Sequence, residues 1–135
     1  GCLGYSLGAK EVLYAAAFDE RFKVAVFSEG GIGLTFSNWD APWYLGPAIR
    51  DENFPLNHHQ LLALIAPRPF LILGGESGRG AADGDRSWPL IEVALPVWKL
   101  YGEPTRIGLL NHRQGHSISP ESFERIAEWL ETYLK

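Results

Sequence analysis

The stretch Cys2-Leu3-Gly4-Tyr5-Ser6-Leu7-Gly8-Ala9-Lys10-Glu11-Val12-Leu13-Tyr14-Ala15-Ala16-Ala17-Phe18 changes its hydrophobic period at one serine. Before Ser6 the chain is short and apolar, as at the end of a strand. After it, Ala9, Val12, Leu13 and Ala16 fall on one face of a helix. Between the two halves stands Gly4-Tyr5-Ser6-Leu7-Gly8, a Gly-x-Ser-x-Gly pattern. In a strand-turn-helix context this spacing has a mechanical reason. The serine occupies a sharp, strained turn, and glycines two places to either side let strand and helix approach without clashing Cβ atoms. The turn lifts the hydroxyl off the sheet and aims the backbone N–H of Leu7 and the positive end of the helix at an oxyanion beside it. Ser6 is therefore a candidate nucleophile; an ordinary Gly/Ser turn is the alternative reading.

Working outward, three further apolar runs are too short for helices: residues 23–28 (KVAVFS), 70–73 (FLIL) and 106–110 (RIGLL). Continuous apolar runs without alternation suit strands with both sheet faces buried. Residues 2–5 form the end of a fourth. Helical faces lie between them: Leu61, Leu62, Leu64 and Ile65, then Ile91, Ala94, Leu95, Trp98 and Tyr101. Pro96 should kink the second of these, within residues 87–102, because it cannot donate to the Glu92 carbonyl. The last helix carries Phe123, Ile126, Ala127, Leu130 and Leu134 on one face, with Ser119 as N-cap, Pro120 in the first turn and Glu121 favourable to the dipole. The alternation predicts an α/β fold with a parallel sheet flanked by helices and right-handed crossovers, within one domain spanning residues 1–135. Two long stretches without periodicity, residues 30–57 and 76–86, each follow a strand. Ligands bind outside the carboxyl ends of parallel strands, so chemistry belongs in these loops.

The composition agrees. The chain has 135 residues and a net charge of −4, with 46% hydrophobic and 21% charged residues. This describes a globular protein with a real core, and the acidic balance argues against nucleic acid as a partner. The longest unbroken apolar run, residues 12–18, covers seven residues, whereas a membrane-spanning helix needs about 20; no membrane association is expected. Cys2 is the single cysteine, so an internal disulfide and a cysteine-built metal cluster are both excluded. There is no methionine, and Gly1 leads directly into a strand. The chain thus reads as a fragment whose natural N-terminus lies upstream, and its localisation is not legible.

A serine hydroxyl needs a base to take its proton. His116 sits in Asn111-His112-Arg113-Gln114-Gly115-His116, after the last strand and before the last helix, and is the candidate base. His112 lies at the strand end and reads as a structural neighbour. The two histidines have the four-residue spacing of a metal pair on a helix, but Gly115 and the preceding strand argue against a helix there; no metal is expected. His58 and His59 serve the start of their helix. A third member, a carboxylate that orients the imidazole, has three candidates after strands: Glu29 first, then Glu76 and Asp85. An acid at the end of an apolar strand is costly unless paired, which favours Glu29. Gly78, Gly80 and Gly84 fit neither phosphate-binding pattern. Trp39 and Trp43, with Tyr44, form an aromatic cluster suited to sugars or aromatic esters, or equally to packing as a lid over the sheet.

The order Ser, acid, His is that of the α/β-hydrolases, and most of the chain resembles the C-terminal half of such a domain, from the nucleophile strand onward. Within that superfamily it is similar to the glucuronoyl esterases, acetyl xylan esterases and dienelactone hydrolases. Three features carry the resemblance: Lys10, four residues after Ser6; Glu29, 23 residues after Ser6; and the run His58-His59-Gln60-Leu61-Leu62-Ala63-Leu64-Ile65-Ala66-Pro67-Arg68-Pro69. One departure is Leu7, where glucuronoyl esterases carry an arginine. Many α/β-hydrolases place the acid after a later strand, which keeps Glu76 and Asp85 open. The resemblance implies a partial α/β-hydrolase fold and a serine esterase that needs no cofactor. Ser6, His116 and Glu29 would be catalytic, the Leu7 N–H would hold the oxyanion, and Lys10, Trp39 and Trp43 would face a small-molecule or carbohydrate ester. A prolyl-oligopeptidase-like peptidase is the alternative enzyme, and a non-catalytic binding module the alternative outside catalysis. An open sheet edge would favour oligomers or aggregation.

Overall fold

The computed structural model describes residues 1–135. Four strands, β1 (Cys2–Tyr5), β2 (Ala25–Ser28), β3 (Phe70–Gly74) and β4 (Ile107–Asn111), alternate with four helices, α1 (Leu7–Phe18), α2 (His58–Ile65), α3 (Trp88–Leu100) and α4 (Pro120–Tyr133). The strands form one sheet in the order β1-β2-β3-β4, and every pair is parallel. This is a partial α/β-hydrolase fold. Short 3-10 turns punctuate the long loops at Pro47–Arg50 and Asp85–Ser87.

Side chains alternate across the sheet, and the sequence fills the two faces differently. Ala25, Phe27, Phe70, Ile72 and Ile107 point to the face covered by α1, α2 and α3, where Leu13, Ile65, Ile91 and Trp98 join them in the larger core. Val26, Leu71 and Leu73 point the other way, against Ile126 of α4. The central strands β2 and β3 are buried along their whole length, as their unbroken apolar runs predict. The edge strands β1 and β4 are only partly covered.

Local signals account for the helix ends. Ser119 accepts from the Ser122 N–H at 3.1 Å and caps α4. Asn57 and Gln60 form a reciprocal capping box on α2. Two expectations are corrected. Phe123 is 59% exposed, and Leu134 lies beyond the end of α4, also exposed. The face of α4 is instead set by Ile126, Trp129 and Leu130, because the helix seats its middle turns on the sheet. Of the two glycines in the elbow, only Gly4 is sterically required: a Cβ there would overlap the Gly8 carbonyl, while a Cβ on Gly8 meets open space. The helix α3 spans Trp88–Leu100 with Pro96 inside it.

The register sets up the site. Tyr5, Ser28 and Leu73 are partners across β1, β2 and β3, and Leu73 partners Leu110 of β4. The strands therefore end within one residue of a common level, β3 and β4 running one pair further, to Gly74 and Asn111. The first residue after β1, β2 and β4 continues the ladder: the Ser6 N–H donates to the Ser28 carbonyl at 2.8 Å, Glu29 to Leu73 at 2.9 Å, and His112 to Gly74 at 3.2 Å. Ser6, Glu29 and His112 consequently emerge side by side along one rim.

Candidate active site

Ser6 sits between β1 and α1 at φ 56°, ψ −114°, a conformation that side-chain-bearing residues seldom adopt and that costs on the order of 1–3 kcal/mol. Leu7 opens α1, so its N–H has no helical carbonyl behind it and is free to donate beside the Ser6 hydroxyl. Across the rim, Nε2 of His116 lies 3.0 Å from Ser6 Oγ. The Tyr5 ring lies beside the His116 imidazole, with centroids 4.9 Å apart, and its hydroxyl donates to the His116 carbonyl at 2.9 Å. Burial, and then the negative charge of Glu29, raise the Tyr5 pKa. The residue before the serine thus holds the loop that carries His116.

Glu29 also has a positive φ, 56°, and its side chain is fully buried. One oxygen, Oε1, accepts from the Gly75 N–H at 2.8 Å and faces Nε2 of His112 at 2.6 Å. The other, Oε2, accepts from the Ala82 N–H at 3.3 Å and stands 3.6 Å from Nδ1 of His116. That Nδ1 is buried and has no hydrogen-bond partner. Ser6, His116 and Glu29 are thus brought into a line in which the imidazole lies between hydroxyl and carboxylate.

Glu76 and Asp85 pair elsewhere. Both carboxylates bind the Arg113 guanidinium, at 3.0 and 3.1 Å, and Asp85 also accepts from the Asn111 amide. The Asn111 hydrogen bond, with help from Arg113, lowers the Asp85 pKa. These contacts tie the loop after β3 to the one after β4. An acid that sequence reasoning passed over, Asp83, is wholly buried. It accepts from the N–H groups of Gly31 and Ile32 at 2.9 and 2.7 Å and from the Ser87 hydroxyl at 3.1 Å. Burial raises its pKa. Its one sequence signal is its setting: Ala81 and Ala82 precede it in an otherwise charged loop.

The aromatic cluster divides. Trp39 is 2% exposed and donates from Nε1 to the Gly31 carbonyl at 2.6 Å, whereas Trp43 is 73% exposed. Lys10 is buried against the first of these. Its Nζ donates to the Gly30 carbonyl at 2.7 Å and lies 3.7 Å from the Trp39 ring centroid, and desolvation lowers its pKa to about 8. Lys10 thereby fastens the start of the loop that carries Glu29. Beside the elbow an open cavity of about 470 Å³ is lined by Leu7, Lys10, Glu11, Tyr14, Trp43 and Tyr44, among others. His58 packs edge-on to Trp39, with Nδ1 2.8 Å from the Ile32 carbonyl and Nε2 3.2 Å from the Tyr14 hydroxyl.

No family model matches the chain. The curated carbohydrate esterase MZ0003, from an unknown prokaryotic organism, is 23% identical over 160 residues, which cover 98% of this chain and 36% of that protein. Among solved structures, a carbohydrate esterase family 15 glucuronoyl esterase from Caldicellulosiruptor kristjansonii is 26% identical, with a TM-score of 0.81 over 98% of this chain and 42% of the other. A glucuronoyl esterase of the same family from Teredinibacter turnerae T7901 is 25% identical, with a TM-score of 0.73 over 97% of this chain and 40% of the other. The chain is similar to these esterases and spans less than half the length of each.

Proposed function

We propose that the protein is a serine hydrolase of carboxylic esters, of the carbohydrate-esterase kind, working through Ser6, His116 and Glu29. The observation that carries this reading is the 3.0 Å approach of His116 Nε2 to the hydroxyl of a serine in a left-handed elbow. As Ser6 Oγ bonds to the ester carbonyl carbon, its proton passes to His116 Nε2 and the carbonyl oxygen becomes an oxyanion. The Leu7 N–H, with the positive end of α1 behind it, is the donor on hand for that charge. His116 then carries protons on both nitrogens, and Glu29 Oε2 faces the one on Nδ1. Collapse of the adduct breaks the bond to the alcohol, which leaves with the Nε2 proton. Water then gives a proton to the same nitrogen as its oxygen bonds to the acyl carbon; the bond from that carbon to Ser6 Oγ breaks, Oγ takes the proton back and the acid is released.

The ester-bearing group would lie against the cavity beside the elbow. Leu7 and Trp43 would touch it, and Lys10 and Trp39 would shape its wall, since the lysine already serves the Gly30 carbonyl. A fluorophosphonate tests the reading directly. It should label the protein at Ser6 and not label the Ser6→Ala variant, and simple aryl or sugar-acid esters should be cleaved while proline-containing peptides are not. Absence of Ser6 labelling in the intact protein overturns it.

A further inference from the structure

Glu29 faces two histidines on one loop, and the proposed reaction uses only one of them. His112 is as buried as a catalytic group, with a side chain 5% exposed. Its tautomer follows from its neighbours. The Gln114 N–H donates to Nδ1 at 3.2 Å, so that nitrogen is an acceptor and the ring proton sits on Nε2, aimed at Oε1 of Glu29 at 2.6 Å.

The two carboxylate oxygens are thereby unequal. Oε1 receives two donors, the Gly75 N–H and His112 Nε2–H, both at short range. Oε2 receives one long backbone bond from Ala82 and otherwise looks toward the unpartnered Nδ1 of His116. A carboxylate held by Gly75 and Ala82 alone would have one short bond and one long one, leaving the angle of its plane weakly fixed. The second donor on Oε1 fixes that plane.

We propose that His112 is a positioning residue: its Nε2–H anchors Oε1 of Glu29 and so aims Oε2 at Nδ1 of His116. This rests on the reading of Ser6, His116 and Glu29 as the reacting set. The loop supplies the means. Arg113 adopts a left-handed φ of 58° directly after His112, which turns the chain so that both imidazoles reach one carboxylate. The orientation is set before substrate arrives, and less has to be ordered when the imidazolium forms.

The test is the limiting rate at which a fluorophosphonate labels Ser6 in the intact protein. His112→Phe keeps a ring and loses the donor. It should slow labelling by about 10- to 100-fold, the range seen when an outer partner that orients a histidine is removed from a metal site, with the half-saturating concentration unchanged. His112→Gln, whose amide can donate to Oε1, should recover most of the rate. In a Glu29→Gln background, His112→Phe should cost little more, since the two residues act through one contact. An unchanged rate in folded His112→Phe overturns the proposal, as does the same loss in both backgrounds.

Nitrogen NMR of the wild-type imidazoles provides a readout without chemistry. His112 should be protonated at Nε2 and bare at Nδ1, with its Nε2–H resonance far downfield and displaced in Glu29→Gln. A bare Nε2 overturns the anchor even if His112→Phe fails to fold. Because the spectrum needs no turnover, a protein that shows it but leaves Ser6 unlabelled refutes the proposed activity and upholds the anchor.

Discussion

Ser6 and Glu29 share a φ of 56° although neither is glycine. Such strain persists only where the surroundings impose it. Both residues are the first after a strand, still bonded to the neighbouring strand by their N–H groups, and both turn their side chains out over the rim. If Ser6 is the nucleophile as proposed, Ser6→Ala is expected to cost on the order of 10⁶ in turnover, with its circular dichroism unchanged. For the acid, Glu29→Gln keeps the shape and loses the charge that faces an imidazolium, a loss of about 10⁴ in the comparable serine-protease change. Glu76→Gln and Asp85→Asn should cost far less, because their carboxylates hold Arg113 on the protein surface, where ion pairs contribute little. Steady-state kinetics on the three single variants decides the assignment. A severe loss in Asp85→Asn beside a mild one in Glu29→Gln would contradict it.

At the scale of elements, the parts whose identity is written in local chemistry were legible. The apolar runs of β2 and β3, the cap Ser119 and the elbow glycine Gly4 each act within a few residues of their own position. Asp83 and His112 were not legible in the same way, because their roles depend on partners 52 and 83 residues away along the chain. Phe123 is exposed: periodicity gives a helix a face but not the turn that meets the sheet. The loops contain a structural core of their own, and two predictions belong to it. Asp83→Ala orphans two buried N–H groups, those of Gly31 and Ile32, and should lower stability by about 1–3 kcal/mol in chemical denaturation. His58 gives the loops a pH limit. Its ring is satisfied when neutral, with Nδ1–H donating to the Ile32 carbonyl and Nε2 accepting from Tyr14. Burial lowers its pKa from 6.5 to about 4. Between those values the unfolded chain holds more protons, so stability is full above 6.5 and declines as pH falls toward 4. Melting temperatures should fall over that interval, and His58→Gln should start lower but show a shallower decline.

The sheet as a whole has two unpaired edges, β1 and β4, and they are not alike. Along β4, Trp129 and Tyr133 of α4 share one surface cleft with Gly108, Leu109 and Leu110. Along β1 the protection is thinner. The N–H groups of Cys2 and Ser6 turn inward to Val24 and Ser28 of the β2 side, so by the alternation of a strand those of Leu3 and Tyr5 turn outward. The side chains of these two residues are also exposed. An edge with free donors and apolar side chains is a template for another strand, and nothing on β1 blunts it: it has no proline, no lysine and no bulge. Its brevity, four residues, limits the gain from each pairing without removing it. Residues 1–135 produced alone are therefore expected to self-associate through β1, with a sedimentation coefficient that rises with concentration. Leu3→Lys should shift that equilibrium toward monomer, because it places a charge on the pairing edge while leaving the buried Gly4 and the elbow untouched. A chain that sediments as monomer at every concentration and unfolds in one cooperative step would show instead that β1 is silent.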